Sequence, residues 1–338
     1  MFDCLTGTIE YFKKDSKDLL FDVSQPASVG VTSIIQNIGK VTNSGVEIEL
    51  DYNAFKNKDW SVSVGANATF VKNKIKNLPA TMKENGYISG SKKWLEGKSI
   101  YEFWLRQWHG VDPQTGDGLY VADVSKYNQG NIGTGDGNIT QSQFDEYKKT
   151  VVTIDGKELT NSYTYAKYDF SGSSIPDVFG GFNVRVSYKN FDLAAVFSYQ
   201  LGGQVLDTNY ATMMSMTEFG YAQSPDLLKA WKQAGDITEV PRIDNSAAHT
   251  TNIGQSYSTR WLTSSDYLNL RSVTIGYQFP KAWLSKVMLK SARLNLTAEN
   301  LFMLKARQGL NPMANYSGVT YNEYMPSRNI TLGLNVSF

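Results

Sequence analysis

From Arg328 to Phe338 the chain follows a period of two without a break. Ile330, Leu332, Leu334, Val336 and Phe338 are apolar, and Asn329, Thr331, Gly333, Asn335 and Ser337 between them are small or polar. Alternate side chains of an extended strand point to opposite faces, so this segment has one apolar face and one wet face. A strand of this kind that ends on an aromatic residue needs a pairing partner or a reader, because most termini fray.

The same alternation recurs upstream. Leu5, Gly7, Ile9 and Tyr11 alternate with Thr6, Thr8 and Glu10 close to Met1, so the chain is expected to begin inside a strand and to be a fragment. Val46, Ile48, Leu50, Tyr52 and Ala54 oppose Glu47, Glu49, Asp51 and Asn53, and Trp60, Val62, Val64, Ala66, Ala68 and Phe70 return after a polar turn. A weaker pair is expected at 101–108 and 119–121. Phe182, Val184, Val186 and Tyr188 then lead through Lys189-Asn190 into Phe191, Leu193, Ala195, Phe197 and Tyr199. The strand of Tyr267 to Phe279 changes parity midway, which predicts a bulge near Arg271-Ser272. Ala292, Leu294, Leu296 and Ala298 form the strand before the last. This makes about ten strands in all.

The connections alternate between long (15–42, 73–98, 124–176, 203–265 and 303–327) and short (56–59, 111–116, 189–190 and 280–291). Long loops at one end and short turns at the other are the layout of an antiparallel up-and-down transmembrane β-barrel. Phe55, Trp60, Tyr188, Phe191, Phe279, Trp283 and Phe338 all fall beside short turns or at the last residue, which predicts an aromatic girdle at one interface. The clean alternations run about the 9 to 11 residues that a tilted spanning strand needs. A soluble β-sandwich or propeller is the competing reading.

Composition excludes other classes. Lys+Arg 33 against Asp+Glu 32 leaves no basic excess for nucleic acid. No run reaches the roughly 18 apolar residues of a spanning helix. Cys4 has no second cysteine with which to form an intrachain disulfide. His109 and His249 are too isolated for a metal cluster or a triad. Glu47, Glu49 and Asp51 share a face as a glycosidase pair would, but acids facing a water-filled lumen are ordinary barrel lining. Around Gly135-Asp136-Gly137 a calcium loop would need acids where Ile132, Thr134 and Gln143 stand, so a turn is expected. No nucleotide-binding glycine motif precedes a helix, and no cofactor is called for. Ser224-Pro225-Asp226 reads as the start of a short helix through Trp231, stopped by Gly235. Trp94, Trp104, Trp108, Trp231 and Trp261 lie in or near loops, where their planes would suit sugar rings or would pack the loops themselves.

Several segments resemble, in order along the chain, the C-terminal barrel of TonB-dependent outer-membrane transporters of the SusC/RagA type from Bacteroidetes. They are Asn37-Ile38-Gly39-Lys40-Val41-Thr42-Asn43-Ser44-Gly45, Asp112-Pro113-Gln114-Thr115-Gly116, Ile175-Pro176-Asp177-Val178-Phe179-Gly180-Gly181-Phe182, and Gly235-Asp236-Ile237-Thr238-Glu239-Val240-Pro241-Arg242 after Trp231. Asp266-Tyr267-Leu268-Asn269-Leu270-Arg271, Glu299-Asn300-Leu301-Phe302 and the terminal strand complete the series. The resemblance implies that residues 1–338 are the C-terminal portion of a barrel of about 22 strands, with signal peptide, plug and first half of the barrel absent. It further implies a non-enzymatic importer in the Gram-negative outer membrane. Its partners would be a SusD-like lipoprotein, TonB-ExbB-ExbD engaged through the missing N-terminal region, the barrel assembly machinery reading Phe338, outer-membrane lipid, and an oligosaccharide or peptide substrate. The alternative is a non-transporting all-β carbohydrate-binding or structural surface protein.

Overall fold

In a computed structural model, residues 4–24, 30, 33–135, 137–215, 220, 222–254 and 257–338 are described. Strands dominate, and a nine-stranded antiparallel sheet forms the wall. Along it run β1 (Leu5–Ser24), β2 (Ser33–Lys56), β3 (Trp60–Asn77), β4 (Val178–Tyr188), β5 (Phe191–Leu201), β6 (Tyr267–Gln278), β7 (Ser291–Glu299) and β8 (Asn329–Ser337), each paired with the next. The ninth, Met303–Lys305, adds to β6. The connections at 57–59, 189–190 and 279–290 are short and lie at one end; 78–177, 202–266 and 300–328 are long and lie at the other.

Register aligns the apolar parities into continuous rows. Ile330, Ala298, Val273, Ala195, Val184, Val64, Tyr52 and Leu5 are cross-strand neighbours across all eight strands. One row nearer the short turns, Leu332, Leu296, Ile275, Leu193, Val186 and Val62 do the same. Many of these side chains are exposed, Leu332 at 69 % and Ile275 at 48 % among them, as the lipid-facing surface of a barrel requires. Beside the short turns members of the expected girdle meet other rings: Trp60 lies 4.3 Å from Tyr188, and Phe191 lies 4.5 Å from Tyr277, which the expectation did not include, centroid to centroid. The opposite face carries Glu47, Glu49, Asp51, Asn67, Asn183 and Arg185.

The bulge in β6 is where the parity change puts it. Val196 pairs with Ser272 and Phe197 with Leu270, so Arg271 has no partner on β5.

Two expectations are corrected. The strands anticipated at 101–108 and 119–121 are not wall strands, because β3 pairs directly with β4 from Trp60↔Tyr188 to Phe179↔Thr69. Those segments, Glu102–Arg106, Trp108–Val111 and Gly118–Val121, belong to two small sheets inside the 78–177 connection, and at four or five residues are too short to span. The count of ten wall strands falls accordingly. The stretch 15–42, anticipated as a loop, is largely strand: Asp15↔Thr42 and Ser16↔Val41 continue the pairing of β1 and β2 beyond the apolar band. Outside lipid a hairpin needs no apolar face, so hydrophobic periodicity vanishes while pairing continues.

Candidate functional site

Above the wall the three longest connections fold onto one another. Phe103 and Leu105 from the first, Leu206, Ala211, Met214, Leu227, Ala230, Val240 and Trp261 from the second, and Val319 from the third form one buried cluster. Backbone bonds sew the last two together, with Leu206 N–H donating to Gly318 O and Thr320 N–H to Leu206 O. Asp207 caps the short helix Thr208–Met213 through Tyr210 N–H and also accepts from Arg307 at 3.1 Å, while the Arg307 guanidinium lies over the Tyr210 ring. Burying apolar surface is what gives these long segments a defined shape.

The Asp112-Pro113-Gln114-Thr115-Gly116 turn is a loop tip, not a membrane turn, and it docks on the Trp231 segment. Asp112 holds the turn by accepting from Gln114 N–H (2.8 Å) and Thr115 O–H (2.9 Å). Trp231 Nε1–H and Gly235 N–H both donate to Pro113 O. Gly116 has φ +73°, and a methyl there would overlap the Trp231 indole. The residues before Trp231 form a 3-10 turn, Pro225–Lys229, with Ser224 accepting from Asp226 N–H as the N-cap signal predicts.

The five tryptophans fall into distinct settings. Trp94 is half-buried, with its Nε1–H donating to Ile100 O. Trp104 stacks on Tyr168 and meets the edge of Phe170, under the Lys93 ammonium at 4.1 Å. Trp108 meets Tyr120 edge-on, and Arg260 is sandwiched between Trp108 (4.7 Å) and Trp261 (4.3 Å). Burial lowers Arg260 to a pKa of about 10 and pushes the Tyr120 phenol up, its O–H donating to Asn252 O. Trp261 is only 2 % exposed and serves as loop core, so in this conformation it presents no face to a ligand.

Beside the docked turn is a polar cavity of about 450 Å³ lined by Asp117, Thr150, Asn161, Ser162, Tyr163, Arg242, Ser246, His249 and Asn252, among others. Its charges are matched: Arg242 Nε is 3.0 Å from Asp117 and Nη2 3.1 Å from Asp244. His249, buried on the helix Ala247–Ile253, lies 2.8 Å from Arg242 O through Nε2. Asn252 donates to Gly118 O, yet its buried Oδ1 has no partner among the described residues. Such a site suits a neutral ligand rich in hydroxyl or amide groups. In the sequence His249 is an isolated loop histidine, and nothing local joins positions 125 apart such as Asp117 and Arg242. His109 is exposed elsewhere.

The 135–143 stretch is the lead-in to a helix. Thr140 accepts from Gln143 N–H while Gln143 Oε1 accepts from Thr140 N–H, a capping box that starts Gln141–Thr150. Asp136 lies outside the described residues. Among the described residues no group of three or more His, Cys, Asp or Glu could hold a metal ion, and no helix is long and apolar enough to cross a membrane.

Comparison with known proteins sets this architecture beside its relatives. The family described as TonB dependent receptor-like, beta-barrel, matches residues 3–143. TonB-dependent receptor P3 of Formosa agariphila is 27% identical over 98% of the chain, and TonB-dependent receptor SusC of Bacteroides thetaiotaomicron 24% over 99%. Over nearly its whole length the chain is therefore similar to TonB-dependent receptors, SusC among them. It spans about a third of the length of these relatives, 32% and 30% respectively. The RagAB peptide transporter shares the fold at a TM-score of 0.75 and 24% identity, with 99% of this chain and 34% of that one covered. The antiparallel wall with its exposed apolar rows is that of an outer-membrane barrel, and those rows face lipid.

Proposed function

We propose that the receptor barrel supplies wall, lumen lining and extracellular loops to a TonB-dependent importer that takes up an oligosaccharide or a peptide. The observation that carries this reading is the fusion of the three longest connections into one core at one end of a lipid-exposed wall. Loops held this way can present a preformed polar surface to a substrate. The cavity around Asp117, Arg242 and Asn252 supports contact with hydroxyls or amides, and the half-buried faces of Trp94, Trp104, Trp108 and Trp231 extend that surface. By the same reading a SusD-like lipoprotein hands over the substrate, and TonB-ExbB-ExbD drives uptake through an N-terminal plug domain. The barrel carries no catalytic step of its own.

Uptake by intact cells of fluorescent oligosaccharide and peptide mixtures tests the reading, with and without a protonophore. Energised accumulation of one mixture, lost on deletion of the receptor and weakened by Asn252→Ala, is expected. Surface binding that neither enters the cell nor depends on the proton gradient would instead make this a non-transporting surface protein.

A further inference from the structure

The lipid face of β1 to β3 ends, on the loop side, in a lysine-bearing rim. Tyr11, Val46 and Phe70 are cross-strand neighbours and form the last apolar row, with Tyr11 70 % and Phe70 43 % exposed. In the next row of the same parity Lys13 and Lys72 flank Ser44, each paired with it directly, and in the row beyond stand Asp15, Thr42 and Lys74. Asp15 is already engaged by Thr42 O–H at 2.6 Å and by Lys40 at 3.1 Å. Lys13, Lys72 and Lys74 are exposed and make no ion pair among the described residues.

Height places this rim at the membrane surface. Trp60 stands in the girdle beside the short turns, and Phe70 lies ten residues along the same strand. Ten residues rise about 33 Å along a strand, and at a tilt of about 40° this spans roughly 25 Å of membrane, the height of the apolar band of an outer-membrane barrel. Lys72, two residues on, therefore sits at headgroup depth on the loop side.

A cavity is built there. β4 pairs with β3 only as far as Phe179↔Thr69, and where β3 continues beyond it a space of about 540 Å³ opens. Tyr11, Val46 and Phe70 line it together with Ser44, Lys72, Lys74 and the chain at Ile175, Pro176 and Asp177, the last being the one acid among the lining residues. We propose that this rim is a binding site for a phosphate-bearing glycolipid of the outer leaflet, its anionic headgroup held by Lys13, Lys72 and Lys74 with Ser44, and an acyl chain lying against Tyr11, Val46 and Phe70. Unpaired ammonium groups directly above an exposed apolar row match the two halves of such a lipid, and each lysine near an anionic headgroup strengthens the attraction. Import does not require this site, so its success or failure is independent of the transport reading.

The test is native mass spectrometry of the receptor purified from outer membranes in a non-ionic detergent, titrated with monophosphoryl lipid A, with enzymatically dephosphorylated lipid A, and with inorganic phosphate. Retention of the phosphorylated lipid is expected to exceed that of the dephosphorylated form and to fall at least about tenfold in Lys13→Gln/Lys72→Gln/Lys74→Gln. Lys58→Gln, at the opposite end of the wall, is expected to change nothing. Equal retention of both lipids, or full retention by the triple variant, would overturn the site and leave the lysines as general interfacial anchors. Displacement of the lipid by millimolar inorganic phosphate would show an anion site that does not select a lipid, which also overturns the proposal. A triple variant that fails to reach the membrane is replaced by Lys72→Glu, for which the same loss is expected.

Discussion

Arg293 on β7 reaches across β6 to Asp192 on β5, with Nη2 2.6 Å from Oδ2, and it does so over Gly276. Gly276 is the direct neighbour of Asp192 on one side and Asn295 on the other, and Arg293 Nε also donates to Asn295 at 2.7 Å. A methyl on Gly276 would occupy the space of the Arg293 guanidinium and the Asp192 carboxylate. Both are ends of flexible side chains, so Gly276→Ala is expected to separate the pair without breaking the wall. Because the pair is about a third exposed, the loss is about 0–1 kcal/mol. Gly276→Ala and Asp192→Asn should each lower the temperature at which the unheated barrel loses its compact gel mobility. The double variant should lose no more than the larger single effect, and additive losses would show that Gly276 acts independently of the pair.

Gly116 and Trp231 make the same argument in the loops with a stiffer partner. The indole cannot swing away as a guanidinium can, and φ +73° disfavours any side chain at Gly116. Gly116→Ala is expected to undock the turn at a cost of about 1–3 kcal/mol. Limited proteolysis on intact cells would read this as new cleavage near 112–117 and 231–242, with the barrel still inserted. Trp231→Ala should give the same cleavage sites.

Lys92 supplies a pH dependence of known sign. Its ammonium is buried over the Phe103 ring and donates to Tyr101 O and Ser174 Oγ. Burial lowers its pKa from 10.5 to about 7, against the opposing pull of Glu102. Between these values the unfolded chain binds more protons than the folded one, so stability rises with pH across that window. Below about 7 both states are protonated and the burial penalty is present in full. Ser174 in turn donates to Tyr316 O, so Lys92 sits where the first and third loops meet. Protease resistance of the loops is expected to increase from pH 7 to pH 9.5, and Lys92→Met should flatten that slope. An unchanged slope would show that another group titrates.

The wall was legible because lipid on one side and water on the other impose a strict period of two. Trp60 to Phe70, Phe182 to Tyr199 and Ile330 to Phe338 could be read residue by residue, down to the bulge at Arg271. The same period occurs in any antiparallel pair, so Phe103 and Leu105 read as wall although they are loop core. Hydrophobic periodicity does not reveal the helix Gln141–Thr150, yet Thr140 and Gln143 stand at capping-box spacing, a signal present in the sequence. The cavity around Asp117, Arg242, His249 and Asn252 had no such local signal. It exists because the turn at 112–116 docks onto Trp231, and docking depends on surface shapes that no spacing encodes.

Phe338 offers a test that separates assembly from stability. Ser291↔Ser337 closes the pairing of β8 with β7, and Lys290 N–H donates to Ser337 O, so the strand is held up to its last pair by its neighbour. Phe338 follows Val336 on the lipid-facing parity and is 78 % exposed. Its removal therefore costs little packing within the chain, and the proposed role of Phe338 as a signal for the barrel assembly machinery predicts its effect elsewhere. Phe338→Ser is expected to reduce the amount of receptor in the outer-membrane fraction several-fold, while the fraction that does insert keeps its heat-resistant gel mobility. Phe338→Trp, which preserves an aromatic at the interface, should restore membrane levels. If Phe338→Ser instead inserts in full amount but melts at lower temperature, the residue is an interfacial anchor and the recognition role falls.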